Sequence, residues 1–314
     1  MARRVAILVL AHRAASLPYL MRALGDRFAV YLHFDARADM AGIDLPPHVT
    51  TIPRRAVHWG GWSMMQATLD LMEAARDHDV LVLVSGDSIP LLLPDALHDA
   101  LAEAGPERID LVEVANDPAL AGQPREASIA RHGWEQPWRF HNFVHWDDSL
   151  LNPFGAAETT RHYGLPPDKA DWLRGATQRL VAEALAGLAP RPKLFPRLFY
   201  GSQWWALSGA TVAALLPELR RPEVEAYFRF FAVPDEHMVH TVLATIRPGL
   251  ATRRTPVWRA PGGGVLDLAS LRRARAQGPD CLFARKFDPA LSPRLAAALA
   301  PRARPPKRVP DGPP

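Results

Sequence analysis

Five consecutive apolar residues, Val80-Leu81-Val82-Leu83-Val84, constrain this chain more than any other segment. A run of β-branched and leucine residues that short reads as a strand covered on both faces, as in parallel sheets flanked by helices. Its surroundings agree. Val5 to Leu10 is a second compact apolar run, and Val30 to Phe34 a third that ends at Asp35. Between them, Leu17 to Leu24 and Trp62 to Arg76 carry helical spacing; in the latter, Trp62, Met65, Leu69 and Met72 recur on one face. Pro94 opens a further helix to Ala104, and Ile109 to Val114 reads as another strand. The alternation predicts an α/β fold with a mainly parallel central sheet flanked by helices. Ligands in such sheets sit beyond the carboxyl ends of the strands, which singles out His12, Asp35 and Ser85 to Ser88.

Past residue 116 the pattern weakens. Asn116 to Tyr163 is rich in aromatic, histidine and proline residues, and Trp134, Trp138, Phe140, Phe143 and Trp146 favour an ordered binding role there. A helix is expected over Lys169 to Leu188, a strand over Leu198 to Leu207, and helices over Thr211 to Leu219 and Asp235 to Ile246. Pro301 to Pro314 has no apolar face and is expected to be a disordered tail, leaving residues 1–300 as one domain.

Charge and composition narrow the function. A net charge of +4 on 314 residues suits an anionic small ligand or a membrane surface and is no nucleic-acid signature. Cys281 is the only cysteine, which rules out an intramolecular disulfide and a cysteine zinc cluster. The first apolar run passes straight into His12-Arg13 without a cleavage pattern, so it reads as a buried strand rather than a signal peptide. The expected location is the cytoplasm, with room for peripheral contact with a membrane surface.

Several residues could carry chemistry. Asp87 follows the Val80 strand, where nucleotide-sugar enzymes often place an Asp-x-Asp pair around a cation, but no second carboxylate stands two residues away. Asp77-His78-Asp79 lies at the wrong end of the strand and reads as a helix end and turn. His141 and His145, four apart with Asp147 nearby, lack a further ligand at convincing spacing. No metal or other cofactor is therefore expected, and a departing diphosphate would rely on Lys or Arg. Arg285 and Lys286 between Phe283 and Phe287 offer such cations, though a solvated pair is the plainer reading of that fragment. Pro234-Asp235-Glu236 opens a helix; its acids could simply complement the dipole, or Glu236 could act as a general base. Trp204, with Gln203 before it, could be core or a sugar platform.

Taken in order, His33-Phe34-Asp35, Trp59-Gly60-Gly61-Trp62-Ser63, Ser85-Gly86 with Pro90-Leu91, Gly201-Ser202-Gln203-Trp204-Trp205, Pro234-Asp235-Glu236 and Phe283-Ala284-Arg285-Lys286-Phe287-Asp288 are more specific than any one alone. The series resembles the core-2/I-branching β-1,6-N-acetylglucosaminyltransferase family, which includes peptide O-xylosyltransferases. The resemblance runs from Val5 to Asp288 and is weakest over Asn116 to Asp168. It implies a GT-A-type nucleotide-sugar-binding fold and metal-independent, inverting transfer from a UDP-sugar to a glycan acceptor, with N-acetylglucosamine the first choice of sugar and xylose the second. Glu236 falls on the family's catalytic base, Lys286 on a diphosphate ligand and Asp35 on a residue near the uridine. Arg259 is taken as the second phosphate cation, with Arg254 the alternative. His12, Ser85 and Asp87 complete the expected donor-binding set; Arg139, Gln203 and Trp204 form the acceptor-binding set. Ser88 departs from the family, whose members often carry an aspartate there. A glycoside hydrolase would need a second acid opposite Glu236 that the sequence does not identify. A non-catalytic carbohydrate-binding protein would leave the Glu236 and Lys286 motifs without a purpose.

Overall fold

The structure is a computed structural model, and it describes residues 3–57, 60–103, 105, 107–113, 166, 169, 194–229, 233–261 and 264–300. Three parallel strands form its centre: β1 (Val5–Ala11), β2 (Ala29–Phe34) and β4 (Val80–Ser85). β1 lies in the middle, with Ile7 opposite Val30 on one side and Val82 on the other. β3 (Val49–Thr51) extends the sheet parallel to β2. All six residues of β4 are buried, as the apolar run required.

On the other side of β4 the sheet changes direction. β9 (Ala206–Ser208) is antiparallel to both β4 and β6 (Glu107–Arg108), and β10 (Thr252–Arg253) pairs parallel with β6. The seven strands run β10-β6-β9-β4-β1-β2-β3. A smaller sheet joins β11 (Val257–Arg259), β12 (Phe283–Arg285) and β5 (Ile89–Pro90).

Helices cover the strands by the spacing read from the sequence. In α1 (Leu17–Leu24) the buried residues are Leu17, Leu20, Met21 and Leu24, one stripe at three- and four-residue intervals. Gly25 ends that helix at φ 62°, a backbone angle that favours glycine. α2 (Trp62–Ala74) buries Trp62, Met65, Leu69 and Met72, and α3 (Pro94–Ala102) starts at the proline. Farther on come α4 (Gly209–Leu219), α5 (Pro222–Phe228), α6 (Met238–Ile246), α7 (Leu268–Arg275) and α8 (Pro293–Leu299). No helix among the described residues is long and apolar enough to cross a membrane.

Three expectations change. Ile109 to Val114 is not one strand: β6 ends at Arg108 and β7 (Val112–Glu113) pairs instead with β8 (Phe199–Tyr200) in a separate ribbon. Between them the Ile109 N–H bonds the Arg253 carbonyl, and the Asp110 carboxylate accepts from the Thr255 N–H. Leu198 to Leu207 likewise splits into β8 and β9, with Gly201 to Trp205 irregular. A Cβ on Gly201 would stand 2.4 Å from the Asp110 carbonyl oxygen, so the chain passes there only as glycine. Glu236 does not sit inside the α-helix; it ends a 3-10 turn (Pro234–Glu236), and α6 begins two residues later. The 301–314 tail and all of the Lys169 to Leu188 helix but its first residue lie outside the described residues.

Candidate functional site

Where β2, β1 and β4 end, backbone bonds draw their exits together: the Asp35 N–H donates to the Ala11 carbonyl and the Gly86 N–H to the Leu10 carbonyl, both at 2.8 Å. Gly86 is required for this, because a Cβ there would lie 2.6 Å from that of Ala11. The small sheet brings in the far end of the chain. β12 pairs antiparallel with β5, and the Phe287 N–H bonds the Asp87 carbonyl at 2.8 Å. Lys286 is thereby set beside the exits of β1 and β4.

A cavity of about 310 Å³ results. Of the donor-binding candidates, His12, Asp35, Ser85, Asp87 and Lys286 line it. Gln203 and Trp204, expected on the acceptor side, line it too, because the irregular stretch between β8 and β9 carries them there. Arg13 and Arg37 are lining residues that the sequence did not offer as candidates; Arg285, offered beside Lys286 as a cation, lines it too.

The charges are arranged with economy. Arg285 Nε donates to Asp87 Oδ1 at 3.2 Å, and its guanidinium lies 4.6 Å from the centre of the Trp204 ring. Burial pushes the Asp87 carboxyl up, but the Arg285 charge and a hydrogen bond from the Ser85 hydroxyl outweigh it and hold the group below the usual carboxylate range. Breaking a buried pair of this kind costs about 3–5 kcal/mol, so Arg285 is committed to Asp87. Arg37 is engaged by Asp35, whose Oδ1 also accepts from the N–H groups of Arg37 and Val57. Arg13 pairs with Asp288 at 3.2 Å. Lys286 is different: among the described residues it makes no ion pair, and burial followed by repulsion from Arg285 lowers its pKa. Burial also lowers the pKa of His12, against the pull of Asp87.

Lys286 is assigned by the family resemblance, and the alternation of side chains along an extended segment makes Arg285 the less favoured of the two for the phosphate contact. β12 ends at Arg285, so the alternation ends with it, and both residues line the cavity.

Glu236 is half-buried and does not line the cavity, but its carboxylate lies close enough to raise the pKa of Arg285. The turn that carries it is fixed: Val233 adopts φ 50°, rare for a β-branched residue, with its N–H on the Gly60 carbonyl, and the Glu236 carbonyl accepts from the Gly201 N–H. Arg259 is exposed at the end of β11, within electrostatic reach of Arg285 and Lys286. Arg254 lines a second cavity, of about 360 Å³, with Asp110, Ser202 and Arg253. That cavity lies away from the carboxyl ends of β1, β2 and β4, so the Lys286 cavity is taken as the site. Arg139, His141, His145 and Asp147 lie outside the described residues.

Residues 5–132 match the family model described as Core-2/I-Branching enzyme. Over these residues, less than half of the chain, it is similar to that family. The match spans β1 to β7 and so includes His12, Asp35, Ser85 and Asp87, while Gln203, Trp204, Glu236 and Lys286 lie past its end. A Core-2/I-Branching assignment implies glycosyltransferase activity, with a sugar donor and a glycan acceptor. No curated protein matches the chain.

Proposed function

We propose that the chain is an inverting glycosyltransferase of GT-A type that moves a sugar, N-acetylglucosamine first and xylose second, from a UDP-sugar to a hydroxyl of a carbohydrate acceptor. One observation carries the reading. Of the four Lys and Arg side chains lining the strand-end cavity, three are engaged by carboxylates and Lys286 alone, among the described residues, is not. A half-buried ammonium without a counter-ion is a place for an incoming anion, and a diphosphate is the anion that a sugar donor brings.

The roles follow from the chemistry. Glu236 takes the proton of the acceptor hydroxyl as it attacks the anomeric carbon from the face opposite the leaving UDP. Lys286, with Arg259 nearby, neutralises the charge that grows on the diphosphate as the bond breaks. A cation does so without a metal, and Asp87, already holding Arg285, has no lone carboxylate to offer one. His12, Asp35 and Ser85 line the donor's cavity. Cytoplasmic placement with peripheral membrane contact belongs to the same proposal.

Calorimetric titration with UDP tests it. The parent should bind, and Lys286→Ala should bind roughly ten- to a thousandfold more weakly, the usual range for one lost charged contact. An unchanged affinity in that variant would move the phosphate site elsewhere.

A further inference from the structure

Gln203 stands in the irregular stretch between β8 and β9 and is 8% exposed, yet it lines the Lys286 cavity. Its amide nitrogen is buried with no hydrogen-bond partner among the described residues. A carboxamide carries two donors and a carbonyl, and buried polar groups are nearly always satisfied. The charged groups beside it are spoken for: Asp87 receives Ser85 and Arg285, and Arg285 also covers the Trp204 ring. A second neutral group in the same cavity is in the same condition. Ser16, 2% exposed just before α1, makes no capping bond, and its hydroxyl is also without a partner among the described residues. Unused neutral hydrogen-bonding groups beside a cation suit a ligand with both an anionic part and an uncharged, oxygen-rich part.

We propose that Gln203 is a specificity-determining residue that reads the sugar of the donor, rather than the acceptor. This rests on the UDP-sugar reading above. The terminal amide torsion is broad and roughly two-fold, so half a turn presents either the NH2 or the carbonyl to the ligand. The NH2 would donate to an acceptor oxygen on the sugar, an acetamido carbonyl or a ring hydroxyl. A sugar lacking that oxygen leaves the amide unpaired, and sites built to hydrogen-bond a substrate group discriminate strongly against analogues without it.

The experiment compares the affinities of UDP, UDP-N-acetylglucosamine, UDP-glucose and UDP-xylose for the parent, Gln203→Leu and Gln203→Glu, with acceptor KM measured alongside. Gln203→Leu keeps the bulk and removes the hydrogen bonds; Gln203→Glu keeps the shape and removes the NH2. In Gln203→Leu, UDP affinity should stay within about threefold of the parent; in Gln203→Glu the added carboxylate weakens UDP and all UDP-sugars alike, and in both the ratio between the best and worst UDP-sugar falls by about tenfold or more. If Gln203→Leu shows no cooperative thermal transition, the same ratio in Gln203→Glu decides. An unchanged ratio overturns the inference, and with a raised acceptor KM it returns Gln203 to the acceptor side. Loss of UDP affinity with the ratio preserved also overturns it. A parent that binds no UDP removes the functional reading and this inference together.

Discussion

Arg285 and Lys286 are neighbours in sequence with opposite conditions. The guanidinium is fixed between Asp87 and Trp204, and the ammonium has no counter-ion among the described residues. The difference was invisible in the sequence because the residue that commits Arg285 lies 198 positions away. Asp87 was legible as a strand-end acid, but its carboxylate turns out to be occupied. Glu236 was legible as an acid opening a helix, and the 3-10 turn fixes it more tightly than that reading allowed. As the proposed base it has a sharp test. Glu236→Gln keeps the shape and removes the lone pair that takes the proton, so transfer should fall by on the order of a hundredfold or more. UDP affinity should barely change, because the side chain does not line the cavity. Turnover near that of the parent would exclude it.

At the level of elements, long periodic segments were read well and short ones poorly. The bounds of α1 coincide with its apolar stripe, and β4 covers its run of five and one residue more, Ser85. Ile109 to Val114 failed because its strand propensity is shared between two different partners, Arg253 and β8. The turn before α6 and the first turn of that helix add a feature no pattern showed: Asp235, His237 and His240 are all buried. Burial pushes the Asp235 carboxyl up to about 7 and pulls His237 down to about 4 and His240 to about 3. Between about pH 4 and 6.5 the unfolded chain therefore binds protons that the two folded histidines do not, so they make stability rise with pH. Asp235 does the reverse, since it keeps its proton when folded and loses it when unfolded. Each proton of difference is worth about 1.4 kcal/mol per pH unit, so the net rise is about one such slope. Asp235→Asn removes the opposing group and should steepen the rise to about twice that. Denaturant unfolding at intervals from pH 4.5 to 6.5 measures both slopes; equal slopes would mean that Asp235 is ionised in the folded protein.

For the whole molecule, the family match ends at residue 132, while the site continues to residue 286. The parallel strands supply carboxylates and histidines, and the later chain supplies Lys286, Arg285, Gln203 and Trp204. The α/β class was legible from the first half alone. The antiparallel β9, the split of the ribbon strands and the convergence of Gln203 with Lys286 were not, since each depends on contacts between distant segments. If the later chain neutralises the diphosphate, a chelator should not matter. Transfer in excess EDTA should stay within about twofold of its untreated rate, since fixed side-chain cations need no exchangeable ion. Loss of activity that manganese restores would assign the charge to a metal.

The pairing of Ile89 and Pro90 with Ala284 and Phe283 has a further consequence during synthesis. Asp87 leaves the ribosome 198 residues ahead of the guanidinium that neutralises it, and ahead of both strands that flank the Arg285 segment. Closing so long a loop comes late in folding, after the local helices and the parallel strands have formed. The nascent chain thus carries a half-built pocket in which Arg13 and Arg37 balance the charges of Asp35 and Asp87. Arg285 and Lys286 come last and tip that balance, so the net positive charge of the pocket is acquired only near the end of synthesis.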